Sequence, residues 1–331
     1  MSYPLFLYGL LPKAAYGLLP EIAILIAMLA AFGIAAELIT RGTEKFEGML
    51  GQGVAGGVIL GFMSALPETI FVIIATSNGD YSVAISTAIG GNVLLFTLGL
   101  GIISLAYWSK WRSSIALKED YKFDLAFLIF STFTLLLLIV YGKLNAVSGS
   151  LLSLIYIVYV AYRLWQVRSS FAIHISSKNS RKAMLEAIGL MTIGIILIVA
   201  LSKYFIADIV DVAGLLSIPA IWLSLVITPI AADIEELLGA YKLAKSSKGG
   251  GSTAIVSFLG GKLENNTILV GIIGIMATAP VALATLIPEF ASVIIINAVA
   301  ISMLIRGRFS NWQGLVLVLL YFAVISSALL L

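Results

Sequence analysis

Long apolar segments, separated by short polar breaks, follow one another along the whole chain. Because the hydrocarbon core of a bilayer is about 30 Å thick, a membrane-spanning helix needs about 20 mostly apolar residues. The pattern therefore predicts an all-α polytopic membrane protein with about ten transmembrane helices. The predicted spans are 18–40, 53–77, 81–107, 123–142, 147–166, 184–203, 213–242, 252–276, 280–304 and 312–330.

Basic residues fall on alternate breaks between these spans. The even-numbered breaks contain Lys143 and Lys203 as their only basic residues, whereas the odd-numbered breaks contain many lysines and arginines. Since basic loops stay in the cytoplasm, we expect both termini on the extracellular side of the plasma membrane. Residues 1–20 lack the basic start and small-residue cleavage site of a signal peptide, so we expect them in the mature chain.

Composition agrees with membrane insertion. The chain is 60% hydrophobic and 11% charged, against about 25% charged in soluble domains, which leaves no room for a sizeable soluble domain. It has no cysteine, which excludes thiolate sites. Its single histidine, His174, lies in a basic break, so we expect neither a histidine-based metal site nor a histidine base. The net charge of +3 lies in loops, which suits lipid headgroups and indicates no nucleic-acid surface.

Ten spans divide into two halves of five, and an odd number per half makes equivalent helices cross the membrane in opposite directions. That is the arrangement of inverted-repeat transporters. We therefore predict a first repeat over 1–170, a basic cytoplasmic linker over 171–183 and a second repeat over 184–331. The two halves show weak similarity over residues 61–101 and 227–274.

Within these two regions, acidic residues lie where a membrane helix would exclude them. The alignment pairs Glu68 with Glu236, and Asp233 lies one turn before Glu236. A carboxylate at the bilayer centre costs roughly 2.5–3.5 kcal/mol, so a bound cation, a proton or the nearby Lys262 must compensate. Pro67 leaves the carbonyl of Met63 without a helix partner, and carbonyl and carboxylate oxygens are the ligands that Ca²⁺ collects.

These motifs resemble those of the calcium/cation antiporter superfamily, which includes sodium/calcium and proton/calcium exchangers. That family has two inverted repeats, each with a motif like G-T-S-L-P-E followed by G-S-N-x-x-N or G-S-N-x-x-D. The matching segments here are Met63-Ser64-Ala65-Leu66-Pro67-Glu68, Gly90-Gly91-Asn92-Val93-Leu94-Leu95, Ala231-Ala232-Asp233-Ile234-Glu235-Glu236 and Gly260-Gly261-Lys262-Leu263-Glu264-Asn265.

The resemblance implies a Ca²⁺ site centred on Glu68 and Glu236. The departures from the family pattern are Ala65 and Gly91 in place of serines, Leu95 in place of an amide, and Lys262 in place of asparagine. They weaken the case for sodium coupling. The complete set of expected cation ligands is Glu68, Glu236, Asp233, Ser64, Asn265, Asn92 and Met63. Expected coupling or accessory residues are Lys262, Glu264, Glu235 and Glu289.

Lys262 has two interpretations at this stage. Its ammonium could take the place of a monovalent ion, pairing with Glu264 or Asp233, or it could form a fixed ion pair that only neutralises Glu264. Glu289 follows a proline as Glu68 does, but it lies outside the aligned repeats, which favours an accessory role.

The sequence thus predicts a secondary active antiporter that moves Ca²⁺ in exchange for H⁺ or Na⁺ by alternating access. Transport of Mg²⁺, Mn²⁺ or Na⁺ and an intramembrane metal-dependent hydrolase are the alternatives. We expect no enzyme activity and no cofactor, with the lipid bilayer and small cations as the partners and no requirement for an oligomer.

Overall fold

The computed structural model describes residues 18–50, 65–118, 121–167 and 178–330, and most of them are helical. Two helices are interrupted by π-helical turns and are treated as continuous. The helices are α1 (Leu18–Leu50), α2 (Leu66–Ser77), α3 (Tyr81–Val93, Leu94–Gly99, Leu100–Trp111), α4 (Tyr121–Tyr141), α5 (Ala146–Val167), α6 (Lys178–Leu216), α7 (Ala220–Ser246), α8 (Gly250–Glu264, Asn265–Leu269, Val270–Met276), α9 (Ile287–Leu304) and α10 (Asn311–Leu330). The middle segments of α3 and α8 are the π-helical ones.

Each helix overlaps one of the predicted spans. By length and hydropathy, six of the helical segments in the described ranges could cross a membrane, and they fall in α1, α3, α4, α5, α6 and α9. Residues 51–64, which hold the first part of the predicted second span, lie outside the described residues. The N-terminal residues 1–17 lie outside them too.

Several predicted boundaries are wrong. Helix α1 continues to Leu50 and α6 runs from Lys178 to Leu216, so Lys203 lies inside a helix and not in a loop. Part of the predicted linker 171–183 belongs to α6 as well. Hydropathy ends a span at the first charges, but a helix can extend beyond the apolar region. Lys45, on the extended end of α1, forms an ion pair with Glu186 of α6 (2.6 Å).

Helices α1 and α6 pack closely against each other through small residues. A Cβ on Gly42 would lie 2.7 Å from the carbonyl oxygen of Ala187, and one on Gly194 would lie 2.6 Å from that of Ala35. Stacking of Phe32 on Phe205 adds an aromatic contact with ring centroids 4.7 Å apart. Small residues allow this backbone approach, which drives helix association in lipid.

Two short antiparallel strand pairs connect the two halves of the chain. Strand β1 (Ile115–Ala116), between α3 and α4, pairs with β4 (Arg308–Phe309), between α9 and α10. Strand β2 (Lys143–Leu144), between α4 and α5, pairs with β3 (Val281–Ala282), between α8 and α9. Each pair therefore joins a loop of the first half to a loop of the second.

Helix α3 lies at the centre of the molecule, and α1 and α6 lie at its edge. The apolar window of the segment Tyr81–Trp111 is 83% buried, whereas that of Lys182–Leu216 is 17% buried. Helix α3 also contacts α7 closely, because Gly90 faces the ring of Pro229 and the carbonyl oxygen of Leu225. The carbonyl that Pro229 frees therefore faces the backbone of α3.

Candidate cation-binding site

Carboxylates from α2 and α7 meet inside the helix bundle. Glu68 lies in the first turn of α2, next to Pro67. Proline is well tolerated there, because the first helical N–H groups have no partner within the helix. Glu68 and Asp233 are both buried, and the Glu68 carboxyl group interacts electrostatically with those of Asp233 and Glu236.

The ammonium group of Lys262 lies within this group of carboxylates. Its Nζ atom is 3.3 Å from Oδ2 of Asp233, with both side chains almost completely buried. It also interacts electrostatically with Glu68 and Glu236. Since an unpaired charge is very costly when it is buried, the ion pair stabilises both partners. We call Glu68, Asp233, Glu236 and Lys262 the charged cluster.

Gly91 supplies the space that the charged cluster occupies. A Cβ at this position would lie 2.7 Å from Nζ of Lys262, 2.7 Å from Oδ2 of Asp233 and 2.5 Å from Nδ2 of Asn265. Real Cβ atoms do not approach other heavy atoms so closely, and any larger residue here would displace these side-chain ends. Two departures from the family pattern, at positions 91 and 262, therefore meet beside Asp233.

A second polar group lies beside other faces of α3 and α8. The Nδ2 atom of Asn92 donates to Oδ1 of Asn266 (2.5 Å) and Oδ1 of Asn297 (3.4 Å). The Nδ2 atom of Asn297 donates to Thr132 (3.2 Å) and to Asn266 (3.4 Å), and Nδ2 of Asn266 donates to Ser131 (3.1 Å). We call these five residues, from α3, α4, α8 and α9, the amide cluster.

Helix geometry separates the two clusters. Adjacent helical residues point about 100° apart, so Gly91 faces the charged cluster while Asn92 belongs to the amide cluster. Asn265 and Asn266 divide in the same way on α8. The structure thus brings Glu68, Asp233, Glu236 and Asn265 together and places Asn92 elsewhere.

The other expected site residues lie in different surroundings. Glu264 accepts a hydrogen bond from the hydroxyl of Tyr156 (2.7 Å), so it faces α5. Glu289 is buried in the first turn of α9, and Glu235 has a buried carboxylate oxygen without a hydrogen-bond partner. Met63 and Ser64 lie outside the described residues.

In the described ranges, no group of three or more His, Cys, Asp or Glu side chains has an arrangement that could hold a metal ion. The donor chemistry nevertheless suits a hard cation, because carboxylate oxygens and an amide surround one buried position. Oε1 of Glu68 is buried without a hydrogen-bond partner. As the ammonium of Lys262 now lies among these oxygens, a metal ion could gather them only after the ammonium had moved.

Some functional candidates were not predicted from the sequence. Asn266, Asn297 and Tyr156 make the contacts described above, and each is a polar residue inside an apolar segment, which is the signal that could have indicated them. The π-helical segments 94–99 and 265–269 were not predicted either. In both, a threonine hydroxyl bonds the carbonyl four residues earlier: Thr97 to Val93 and Thr267 to Leu263. The equal spacing of these threonines was the available signal.

Comparison with known proteins gives one family and one fold. The sequence model of the family described as "Sodium/calcium exchanger protein" matches residues 21–165 and again residues 186–330. No curated protein sequence matches the chain significantly. The solved structure of the H⁺/Ca²⁺ exchanger CAX is similar over 95% of this chain and 86% of its own, with a TM-score of 0.72 and 16% identity.

A second similar structure is the sodium-calcium exchanger NCX_Mj soaked with 100 mM Na⁺ and 10 mM Sr²⁺. It matches 94% of this chain and 99% of its own, with a TM-score of 0.63 and 17% identity. The same exchanger soaked with zero Na⁺ and Ca²⁺ gives a TM-score of 0.61 at 17% identity, over 93% of this chain and 98% of its own. At these identities the structures establish the fold, which is that of the two exchangers.

Proposed function

The chain belongs to the sodium/calcium exchanger protein family, and from this premise we propose that it is a secondary active antiporter. The cargo is Ca²⁺, moved across the membrane by alternating access in exchange for H⁺ or Na⁺. The solved exchangers with this fold are described as a H⁺/Ca²⁺ exchanger and a sodium-calcium exchanger, which supports both the cargo and the two candidate counter-ions.

The observation that carries the proposal is the meeting of Glu68 and Glu236. These glutamates come from positions that the alignment of the two halves makes equivalent, and they interact with the same lysine inside the bundle. Carboxylates near the membrane midplane are the groups that bind and release a hard divalent cation. Cargo ligands in this proposal are Glu68, Glu236, Asp233 and Asn265, with Ser64 and the carbonyl of Met63 on the preceding segment.

The proposal includes ten spans in two inverted five-helix repeats, over 1–170 and 184–331. The double match of the family model supports it, because the two matched ranges divide the chain in halves. Close helix contacts support it too: a Cβ on Gly101 would lie 2.8 Å from the carbonyl oxygen of Gly314, and one on Gly271 would lie 2.7 Å from that of Gly149. The first contact joins α3 to α10, and the second joins the equivalent pair α8 and α5.

The strand pairs follow the same symmetry. An operation that exchanges α3–α5 with α8–α10 turns the β1–β4 pair into the β3–β2 pair. The basic odd-numbered loops then lie in the cytoplasm, and both termini lie outside the plasma membrane. No oligomer is required, because the carboxylates meet within one chain.

Other cations such as Mg²⁺, Mn²⁺ or Na⁺ are weaker candidates. Mg²⁺ keeps its waters more tenaciously than Ca²⁺, whereas this cluster offers direct ligands. The absence of a side chain at Gly91 and of a hydroxyl at Ala65 reduces the oxygens available for Na⁺. A hydrolase, the remaining alternative, is not favoured, because the family is one of exchangers.

Uptake of radioactive Ca²⁺ into proteoliposomes, under an imposed pH gradient or an imposed Na⁺ gradient, tests the proposal. We expect one gradient to drive uptake by the wild type. Glu68→Gln and Glu236→Gln should each lower it by roughly tenfold to a hundredfold, because each removes a charged ligand. Glu37→Gln is the matched control, since Glu37 is exposed and pairs with Arg41 at the end of the apolar part of α1.

If neither gradient drives uptake by the wild type, or if both glutamate variants transport as well as Glu37→Gln, the proposed function is wrong. The gradient that succeeds identifies the counter-ion.

A further inference from the structure

We propose that the Lys262 ammonium is a tethered counter-cation. It neutralises Asp233 whenever the site, without cargo, changes its access from one side of the membrane to the other. The inference rests on the proposed function and goes beyond it, because it assigns one positive charge of the exchange cycle to the protein itself. The cargo is a divalent cation, and the competing positive charge belongs to a side chain that never leaves the protein.

The first support is the position of the ammonium. Lys262 does not reach a surface: its side chain is 1% exposed, and its Nζ atom lies 3.3 Å from Asp233. The same ammonium interacts with Glu68 and Glu236, the two proposed principal ligands of the cargo. The ammonium and a divalent cation would therefore compete for the same carboxylates.

The second support is the space that the chain leaves for the ammonium. Helix α3 has no side chain at Gly91, and a Cβ there would lie 2.7 Å from Nζ. The atoms that such a Cβ would displace are all ends of side chains, including Oδ2 of Asp233. The position beside Asp233 therefore depends on glycine at 91, as expected for a space shaped around a charged group.

The third support separates this role from a fixed ion pair with Glu264. Glu264 is bonded to Tyr156 on α5 (2.7 Å), and the lysine instead lies with Asp233, which precedes Glu236 by one helical turn. Because the lysine is paired inside the cargo site, its movement is coupled to cargo binding. A lysine is suited to such movement, because its compact charge sits on a flexible stem.

The consequence concerns the return step of the cycle. When cargo has left, Asp233 would be an unneutralised buried carboxylate while the site changes its access from one side of the membrane to the other, unless a cation accompanied it. In the wild type the ammonium fulfils this requirement, so no external monovalent metal ion is needed for Asp233. Without the ammonium, the return of the empty site, and therefore net transport, requires a small monovalent cation. Exchange of cargo for cargo has no empty return step and so does not require one.

Two transport assays in proteoliposomes separate these steps. Self-exchange measures entry of radioactive Ca²⁺ into vesicles loaded with unlabelled Ca²⁺, and net uptake measures entry into Ca²⁺-free vesicles under a pH gradient, with choline as the only other monovalent cation. For Lys262→Gln we expect the ratio of net uptake to self-exchange to fall at least about tenfold relative to wild type. Added Na⁺ or methylammonium should restore the ratio.

Two further variants keep the test decisive. Asp233→Asn/Lys262→Gln removes the carboxylate at position 233 together with its ammonium partner, so its ratio should return to the wild-type value without added cation. Gly91→Ala keeps every charge but displaces the ammonium together with Oδ2 of Asp233 and Nδ2 of Asn265, and we expect a smaller fall of about threefold in the ratio. Gly91→Ala also covers the case in which Lys262→Gln does not fold.

The proposal is overturned if Lys262→Gln or Gly91→Ala changes both assays in equal proportion, because a purely structural lysine would do so. The proposal is also overturned if net uptake by the wild type fails with choline and occurs only when Na⁺ replaces it. Loss of self-exchange in the wild type contradicts the proposed function itself, and this outcome is distinct from the others.

Discussion

The charged cluster and the amide cluster lie beside different faces of α3 and α8, and they differ in the charge and the hydrogen bonding of their side chains. In the amide cluster, neutral side chains donate to one another across four helices. In the charged cluster, one lysine faces several carboxylates, and Glu68 keeps an oxygen without a hydrogen-bond partner. A neutral network of this kind fixes helices relative to one another, even though Oδ1 of Asn92 has no hydrogen-bond partner, whereas an unpartnered charged group can accept a new ligand.

The largest expected effect on stability is in the charged cluster. Asp233→Asn leaves the Lys262 ammonium without its closest partner, and breaking a buried ion pair costs about 3–5 kcal/mol. We expect a loss near the lower value, about 3 kcal/mol, because Glu68 and Glu236 still face the ammonium. Thermal unfolding of the purified protein in detergent measures it.

The double variant Asp233→Asn/Lys262→Gln checks that interpretation. It removes both charges together, so it should be more stable than Asp233→Asn alone. Equal stability of the single and double variants would show that the ion pair contributes little to the folded state.

An intermediate effect is expected in the amide cluster. Asn266→Leu removes the acceptor of Asn92 and the donor to Ser131, and an unsatisfied buried polar group costs about 1–3 kcal/mol. We expect a loss of about 2 kcal/mol of stability, with Ca²⁺ affinity within about twofold of wild type, since an effect below about 0.4 kcal/mol corresponds to such a change. Isothermal titration with Ca²⁺ measures the affinity. A large loss of affinity with normal stability would remove the distinction between the clusters.

The smallest effect concerns one hydroxyl at the edge of the amide cluster. Thr132→Val removes one of the hydrogen-bond partners of Asn297, and we expect stability to fall by about 1 kcal/mol. Thr134→Val is a matched control on the same helix, because the Thr134 hydroxyl is exposed and bonds the carbonyl of Phe130 in its own helix. If the two variants unfold at the same temperature, the bond between Thr132 and Asn297 contributes nothing measurable.

How far the sequence predicts the structure depends on the kind of feature. The helices overlap the predicted spans, because bilayer thickness imposes a length that hydropathy reveals. The ends of α1 and α6 were misplaced, since charged residues such as Lys45 continue a helix beyond the apolar region. The π-helical turns of α3 and α8 do not change the hydropathy pattern, so hydropathy could not reveal them.

Within the site, the motifs identified the candidate residues but not the direction in which each side chain points. Glu68 interacts electrostatically with Asp233 and Glu236 in the structure, and their role as cation ligands stays a prediction. Asn92 was grouped with them because it follows Gly91 in the motif, yet one residue of helical rotation directs it to the amide cluster. The partner of Lys262 was left open between Glu264 and Asp233, and the structure pairs it with Asp233. Only the relative rotation of α7 and α8 decides this.

The missing side chain at Gly91 also makes positions 91 and 262 depend on each other. The family motif that this chain resembles has serine at position 91, and a serine Cβ would lie 2.7 Å from the Lys262 ammonium. The ammonium would then have to shift from its present place beside Asp233. Mutations that change this chain toward the family pattern should therefore begin at position 262 and not at 91.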